Sequence, residues 1–257
     1  MATIERNRRE PRVTLWALLT LALLFAGPVL NVASGRVALR SDWYNATHRP
    51  TGLAPDAASH PEAVVQVYAG RAFGWRGAFA DHLWLAAKPE GAPNYTRYEV
   101  IGWYARGGGS AISIADQRAP DAEWFGAPPR LVRELRGAEA AAVIERLPDA
   151  VASYPYATSY RAWPGPNSNT FIAHLGREIP ALRLALPATA IGKDYLPIER
   201  AVAWTPSGTG VQLSLYGVLG VAAGWDEGLE LNVLGLVAGL DIRAPALKLP
   251  GIGRVPD

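Results

Sequence analysis

The sequence contains no cysteine and is poor in charged residues. Without cysteine the chain has no disulfide, thiolate zinc ligand, thiol nucleophile or lipid-modified cysteine anchor. Charged residues make up 19% of the 257 residues and the formal net charge is +2, which is too small to indicate nucleic-acid binding. Apolar residues make up 49%, enough for a packed core, so a largely disordered chain is excluded.

Histidine is also scarce, with four residues in the chain. No pair of histidines and carboxylates has the spacing of a zinc motif, so we predict no metal site and no cofactor. The stretch Gly107-Gly108-Gly109-Ser110 lacks the lysine and the spacing of a phosphate loop, and we predict a turn there. No serine lies in a G-x-S-x-G sequence, which argues against an α/β-hydrolase.

One long run without a charge covers residues 13–33. At 1.5 Å per residue it is about long enough to cross a ~30 Å hydrocarbon core. Four arginines between residues 6 and 12 predict a cytoplasmic N-terminus and a domain on the periplasmic side of the inner membrane. A cleavable signal peptide is the alternative, because Pro28 interrupts the helix late and Val32-Ala33-Ser34 resembles a cleavage site. The length of the run favours a single-pass anchor.

The rest of the chain predicts an α+β fold, in which a small antiparallel sheet packs with helices. Four short β-branched or alternating runs lie between residues 62 and 116 and predict the strands. Helices are predicted over residues 131–147, with Pro148 ending or kinking the last one, and over residues 167–179. The predicted parts are the basic stub and anchor (1–34), a connector (35–61), the core (62–180) and a C-terminal extension (181–257).

The C-terminal extension contains two apolar runs, VQLSLYGVLGVAAGW and LELNVLGLVAGLDIR, around Asp226-Glu227-Gly228. Two such runs around a tight turn predict a β-hairpin. A second membrane helix is disfavoured, because the first run has only about 15 residues against the ~20 needed and contains several glycines. Both faces of this hairpin are rather apolar, which leaves contact with lipid or with a membrane partner open.

The sequence WPGPNSNTF, residues 163–171, places Ser168 in the first turn of a predicted helix, with Asn167 as its N-cap. A helix N-terminus offers unpaired backbone N–H groups and a partial positive charge. Both stabilise an oxyanion, which is a physical reason to place a nucleophile there. The alternative is that Asn-Ser-Asn only caps the helix.

A serine nucleophile needs a base, and His82 is the candidate. It lies at the start of the predicted strand HLWLAAK. Two of the other histidines, His48 and His60, lie in the connector. The remaining one, His174, follows Ser168 by six residues and therefore lies on nearly the opposite face of the same helix.

A third group would orient the imidazole. Glu99 is the only carboxylate in the next predicted strand and is our candidate, with the hydroxyl of Tyr98 as the alternative. The residues predicted to bind the substrate are Asn167, Asn169, Trp163 and Arg76.

The stretches GWRGAFADHLWLAAKP, YPYATSYRAWPGPNSNTF and ALKLPGIGR resemble an uncharacterised bacterial envelope family, domain of unknown function thirty-seven-fifty. More distantly, the chain is similar to circularly permuted papain-like proteins, a group with relatives of the NlpC/P60 peptidases, the lecithin retinol acyltransferases and the PPPDE peptidases. The shared order is a histidine on a strand, a second strand, helices, and then asparagine, nucleophile, a polar residue and an aromatic. Residues 167–171, NSNTF, match except that serine replaces cysteine.

This second resemblance implies a permuted papain-like fold with His82 as base and Ser168 at the nucleophile position. It implies acyl transfer or hydrolysis of an amide or ester. The predicted location suggests peptidoglycan peptides or lipids as substrates. Because serine replaces cysteine, a non-catalytic envelope protein that binds a peptide or lipid, or that acts as a scaffold, is the alternative.

Overall fold

The computed structural model describes residues 10–37, 39 and 42–256 of the chain. Within these residues the fold contains a five-stranded and a seven-stranded antiparallel sheet together with three α-helices. The predicted α+β class is thereby confirmed. Of the predicted basic stub, Arg6, Arg8 and Arg9 lie outside the described residues.

The helices and strands are joined by short loops and 3₁₀ turns. The helices are α1 (Glu10–Ala33), α2 (Gly137–Ala152) and α3 (Ser168–Glu178). The first sheet is formed by β1 (Val64–Arg71), β2 (Asp81–Lys88), β3 (Thr96–Val100), β4 (Ile112–Ala115) and β5 (Arg130–Arg136). The second sheet is formed by β6 (Val202–Trp204), β7 (Gly210–Leu215), β8 (Leu219–Gly224), β9 (Gly228–Val233), β10 (Leu236–Asp241), β11 (Ala246–Leu249) and β12 (Gly253–Val255).

The first sheet has the strand order β4-β3-β2-β1-β5 and packs α2 and α3 against one of its faces. Alternate residues of a strand point to one face, so one set of apolar side chains from β1 and β2 meets the apolar stripes of the two helices. This main core includes Val65, Val67, Leu83, Leu85, Val143, Leu147, Phe171 and Ile172.

The opposite face of the first sheet is covered by the connector and by a loop before β5. Tyr68, Trp84 and Trp124 form a second, aromatic cluster there. Asp121 holds the connector in place, because its Oδ2 accepts a hydrogen bond of 2.7 Å from the backbone N–H of Leu53. Both faces of β1 and β2 are therefore buried.

Two helix predictions are wrong in part. Residues 131–136 form the strand β5, which pairs antiparallel with β1, so that Val64 lies opposite Arg136. Pairing with the free edge of β1 outweighs the helical propensity of Leu, Arg and Glu in this segment. Pro148 lies inside α2 and does not end it, because Leu147, Ala150 and Val151 continue to bury the helix against the core.

The predicted single hairpin of the C-terminal extension is four strands. Each apolar run turns back on itself, giving β7–β8 and β9–β10, while the turn around Glu227 joins β8 to β9. The extra turns occur at Tyr216-Gly217 and Leu234-Gly235, where consecutive residues have positive φ. Turns of this kind match the twist of antiparallel strands and form tight hairpins. Both runs are strands, in agreement with the rejection of a second membrane helix.

Among the described residues, one helix, Thr14–Ala33, is long and apolar enough to cross a membrane. The C-terminal half of this helix packs against the domain. Leu24 is buried, and a Cβ on Gly27 would lie 2.0 Å from the carbonyl oxygen of Pro250. Asn31 Nδ2 donates to the carbonyl oxygens of Ala78 (3.0 Å) and Gly251 (2.7 Å). The helix is thus attached to the turn between β1 and β2 of the first sheet and to the turn between β11 and β12 of the second.

Gly176 sets the distance between α3 and the segment before β7. The sequence predicts this helix over residues 167–179, and α3 indeed continues past Gly176 to Glu178. A Cβ at position 176 would lie 2.6 Å from the carbonyl oxygen of Pro206. We therefore expect Gly176→Ala to lower the free energy of unfolding by about 1–3 kcal/mol through overpacking, measured by urea unfolding of the solubilised protein. Higher stability, as helix propensity alone predicts, would show that this contact is not close.

Candidate active site

His82 and Glu99 lie on neighbouring strands and hydrogen bond to each other. His82 Nε2 is 3.0 Å from Glu99 Oε2, and both side chains are buried. They share the sheet face that carries Trp84, because side chains alternate along each strand. Tyr98, the alternative partner, packs against the main core on the other face. The structure thus brings the proposed base and its proposed orienting carboxylate together.

Glu99 is held in its ionised form by buried and half-buried cations. Arg97 Nη2 lies 2.9 Å from Glu99 Oε2, and Arg118 Nη1 lies 3.3 Å from Oε1. Burial alone would raise the pKa of Glu99, but the hydrogen bond with His82 and the charge of Arg97 lower it to about 2. Glu99 therefore carries a negative charge at neutral pH, and Arg97 balances it.

His82 is held in its neutral form. Burial lowers the pKa of His82, and the hydrogen bond and charge of Glu99 only partly oppose this effect. A neutral imidazole that donates its Nε2–H to the carboxylate has its lone pair on Nδ1, which is the state of a general base. Within the described residues Nδ1 makes no hydrogen bond. The ring stacks on Trp124, with centroids 3.6 Å apart and an angle of 5°.

Ser168 is the first residue of α3, and Asn167 is its N-cap as predicted. Asn167 Oδ1 accepts hydrogen bonds from the backbone N–H groups of Asn169 (2.9 Å) and Thr170 (3.2 Å). The N–H of Phe171 donates to the carbonyl oxygen of Asn167. In the part of the chain that the structure describes, Ser168 N–H is the first-turn amide without such a partner. One amide, rather than several, is therefore free for an oxyanion.

Asn169 connects the start of α3 to the backbone on both sides of His82. Its Nδ2 donates to the carbonyl oxygen of Asp81 (2.9 Å), and its Oδ1 accepts from the N–H of Leu83 (3.1 Å). The ladder between β2 and β3 covers only residues 85–87 of β2. The side chain of Asn169 thus satisfies backbone groups that lie beyond the end of this ladder. As a result, the start of α3 is tied to the backbone on both sides of His82.

Ser168 and His82 make no direct hydrogen bond with each other in the described structure. The contact of Ser168 Oγ is with Asn169 Oδ1, at 3.5 Å. The imidazole lies on the sheet face of Trp84 and Trp124, whereas α3 packs on the face of Leu83. The imidazole and the first turn of α3 therefore approach β2 from its two faces, near the end where β2 extends beyond its pairing with β3.

Comparison with known proteins identifies the family of this core. Residues 62–195, more than half of the chain, match a family described as protein of unknown function (DUF3750). The chain belongs to the DUF3750 family. This confirms the family resemblance inferred from sequence, although the stretch ALKLPGIGR lies beyond the matched DUF3750 range. No curated protein and no solved structure matches the chain.

The DUF3750 match includes His82, Glu99 and Ser168 and ends before the second sheet. It includes Ile191, whose carbonyl oxygen accepts hydrogen bonds from both Asn167 Nδ2 (3.0 Å) and Asn169 Nδ2 (2.8 Å). The segment after α3 therefore holds in place the two asparagine side chains that flank Ser168. Among residues 10–37, 39 and 42–256, no group of three or more His, Asp or Glu side chains is placed to hold a metal ion.

The other predicted site residues of this DUF3750 protein have structural contacts. The amides of Asn167 and Asn169 are used to cap α3 and to join it to β2, so both residues position Ser168. Trp163 is half exposed, and its Nε1 donates to the carbonyl oxygen of Leu234 (2.8 Å). Arg76 is exposed, with its guanidinium 5.3 Å from the ring centroid of Trp75. A role of these four residues in substrate binding stays a prediction.

Sequence reasoning missed three residues of the candidate site, Arg97, Arg118 and Trp124. Arg97 had a detectable signal, because it precedes Glu99 by two residues and so shares its strand face. Trp124 had none. It lies in a turn that the distant connector holds, through a hydrogen bond from Gly126 N–H to the carbonyl oxygen of Thr47 (2.8 Å).

Proposed function

We propose that this protein is a membrane-anchored acyltransferase or hydrolase of permuted papain-like type, acting on an amide or ester carbonyl with Ser168 and His82. The observation that carries the proposal is the hydrogen bond between His82 Nε2 and Glu99, beside the start of α3. It supplies a neutral base with a fixed tautomer, and Asn169 ties the helix N-terminus that carries the Ser168 hydroxyl to the backbone on both sides of that base.

The reaction would proceed in two steps. Ser168 Oγ attacks the carbonyl carbon while His82 Nδ1 takes its proton, and ionised Glu99 stabilises the imidazolium. The N–H of Ser168 donates to the oxyanion. The bond to the leaving group then breaks, His82 returns the proton to that group, and an acyl-serine remains. Water or an alcohol then attacks the acyl carbon and gives its proton to His82. The bond from the acyl carbon to Ser168 Oγ breaks, His82 returns the proton to Ser168, and the acid or ester product leaves.

The position of the site supports a substrate at the membrane surface. The segment between β1 and β2 contacts α1, through Asn31 and the carbonyl oxygen of Ala78, and leads directly into His82. In our proposal α1 crosses the cell membrane, with the domain on the periplasmic side. The site would then lie close to the bilayer, where lipids and membrane-proximal peptidoglycan peptides are available.

A non-catalytic binding or scaffold protein is the second candidate. Ser168 is 4% exposed and His82 is 7% exposed, so substrate has narrow access to both. They also lack a direct hydrogen bond in the described structure, and serine replaces the cysteine of the resembled group. These observations favour a role in which the same residues only stabilise a binding surface.

Labelling with a fluorophosphonate, which reacts with activated serines, tests the proposal on the full-length protein in membranes. We expect labelling of the wild type, its complete loss in Ser168→Ala, and a decrease of at least about 100-fold in His82→Gln. Ser159→Ala, which changes an exposed serine of the preceding segment, is the control and should label normally. Unchanged labelling of Ser168→Ala, or an unreactive wild type, would contradict the catalytic role.

A further inference from the structure

The outward face of the second sheet is entirely apolar. Every exposed residue of its seven strands is Val, Leu, Ala or Trp. One row of paired residues crosses all seven strands, from Trp204 on β6 through Val211, Leu229 and Leu240 to Val255 on β12. At ~4.8 Å per strand this row is roughly 29 Å long. Such a patch is at the upper end of what soluble monomers expose.

The inward face of the same sheet is polar and charged. Glu230 accepts hydrogen bonds from the ammonium groups of Lys193 and Lys248, the latter at 2.6 Å. Asn232 Nδ2 donates to Asp194 Oδ2 at 2.9 Å. Because these buried groups are paired, turning the sheet over would break the pairs at high cost. The apolar face is therefore the stable outward face of the fold.

The attachment of α1 shows what this face meets. Among the side chains that the structure describes, those of α1 that pack against the domain include Leu24, near the middle of the helix, and Asn31, near its end. From Leu24 to Ala33 the helix rises ~14 Å, about half of a ~30 Å hydrocarbon core. The turn between β11 and β12, which includes Pro250 and Gly251, packs against this half. If Thr14–Ala33 spans the bilayer, the second sheet is held at the depth of one leaflet.

We infer that the apolar face of the second sheet lies in the outer leaflet and contacts lipid. The inference goes beyond the proposed reaction but uses the same spanning helix. Three exposed aromatic side chains lie around the face: Trp204 on the edge strand β6, and Tyr216 and Trp225 beyond the two ends of β8. Rings of this kind favour the boundary between headgroups and hydrocarbon. The face would be immersed by about 5–10 Å, like other interfacial surfaces.

The absence of cysteine makes the inference testable with single thiols. The test positions are Val221→Cys and Leu231→Cys, whose residues are cross-strand neighbours on the face. Each variant of the full-length protein would carry an environment-sensitive fluorophore on its single thiol. The labelled proteins would be reconstituted in phosphatidylcholine–phosphatidylglycerol vesicles. Leu19→Cys on α1 is the lipid-exposed control, and Glu145→Cys on α2 is the water-exposed control. Doxyl-labelled phosphatidylcholine and aqueous iodide are the two quenchers.

We expect both face positions to behave like Leu19→Cys, with strong doxyl quenching and iodide quenching several-fold weaker than at Glu145→Cys. Face positions that iodide quenches as strongly as Glu145→Cys would overturn the inference. Protection from both quenchers would overturn it too, because a second copy or another protein would then cover the face. A loss of doxyl quenching at Leu19→Cys would also overturn the inference, because α1 would then not span the bilayer. Fluorophosphonate labelling is a separate measurement, so the two proposals can fail independently.

Discussion

The variant Ser168→Cys is expected to have a thiol that is alkylated with a pH midpoint below about 7.5, against about 8.5 for an ordinary cysteine. Two features of the site lower the pKa of a thiol at this position. The start of α3 presents a partial positive charge and a free Ser168 N–H, and the imidazole of His82 accepts the proton. Because the wild-type chain has no cysteine, all thiol alkylation by iodoacetamide reports on residue 168.

Matched variants separate these two contributions. In the Ser168→Cys background, His82→Gln should raise the midpoint by about one unit or more, because the base is lost while the helix N-terminus stays. Glu99→Gln should raise it as well, since an amide stabilises the imidazolium less than an ionised carboxylate does. The variant Ser159→Cys, at an exposed position, supplies the ordinary midpoint under the same conditions.

The midpoint is a useful measure because it does not depend on how easily the reagent enters the site. A midpoint at or above that of Ser159→Cys would mean that His82 does not reach residue 168, and the Ser–His mechanism would be wrong. A thiol that reacts only in urea would mean that the site is closed even to a small molecule. That result would favour the binding or scaffold function over the enzyme.

The first sheet was predictable from sequence where strands carry their own signal. The segment that becomes β1 is a short β-branched run, and the segment that becomes β2 alternates in the manner of a strand. The cap at Asn167 fixed the start of α3 in the same local way. By contrast, β5 has the composition of a helix, and only the free edge of β1, more than sixty residues earlier in the chain, makes it a strand.

The second sheet shows another limit of sequence reasoning. Alternation along β7 and β9 indicated strands, but it did not show which face is buried. An inward apolar face would be the usual expectation for an antiparallel sheet. The opposite arrangement depends on Lys193 and Lys248, which pair with Glu230 from distant segments. Ion pairing between separate segments leaves no pattern in the sequence of a single strand.

The candidate site was predictable to the extent that its chemistry depends on scarce residue types. With four histidines in the chain, elimination led to His82, and the next strand offered Glu99. The residues around His82 and Glu99 that control their protonation were not predictable from scarce residue types. Trp124 reaches His82 only because the connector folds over the first sheet, and that fold is a property of the whole domain.

The variant Arg97→Met is expected to lower the free energy of unfolding by about 3–5 kcal/mol at neutral pH, because it leaves the buried carboxylate of Glu99 without its closest cation. Arg97 is buried, and its guanidinium also stacks 4.0 Å from the ring centroid of Trp84. Urea unfolding of the solubilised protein measures the change. Arg136→Met, which removes an exposed ion pair with Glu134, is the control and should cost less than about 1 kcal/mol.

The pH dependence distinguishes an unpaired charge from lost packing. The pKa of Glu99 is lowered from 4.5 to about 2 in the folded protein, so the stabilisation from its ionised form is complete above pH 4.5 and is lost as the pH falls towards 2. Without Arg97 the pKa of Glu99 rises, and its protonated form needs no cation. The deficit of Arg97→Met should therefore shrink across this window, and the second substitution Glu99→Gln should recover part of it at neutral pH. The contrary result is a loss of stability in Arg97→Met that stays constant with pH and is unaffected by Glu99→Gln. Arg97 would then act through its contact with Trp84 and would not set the charge state of the site.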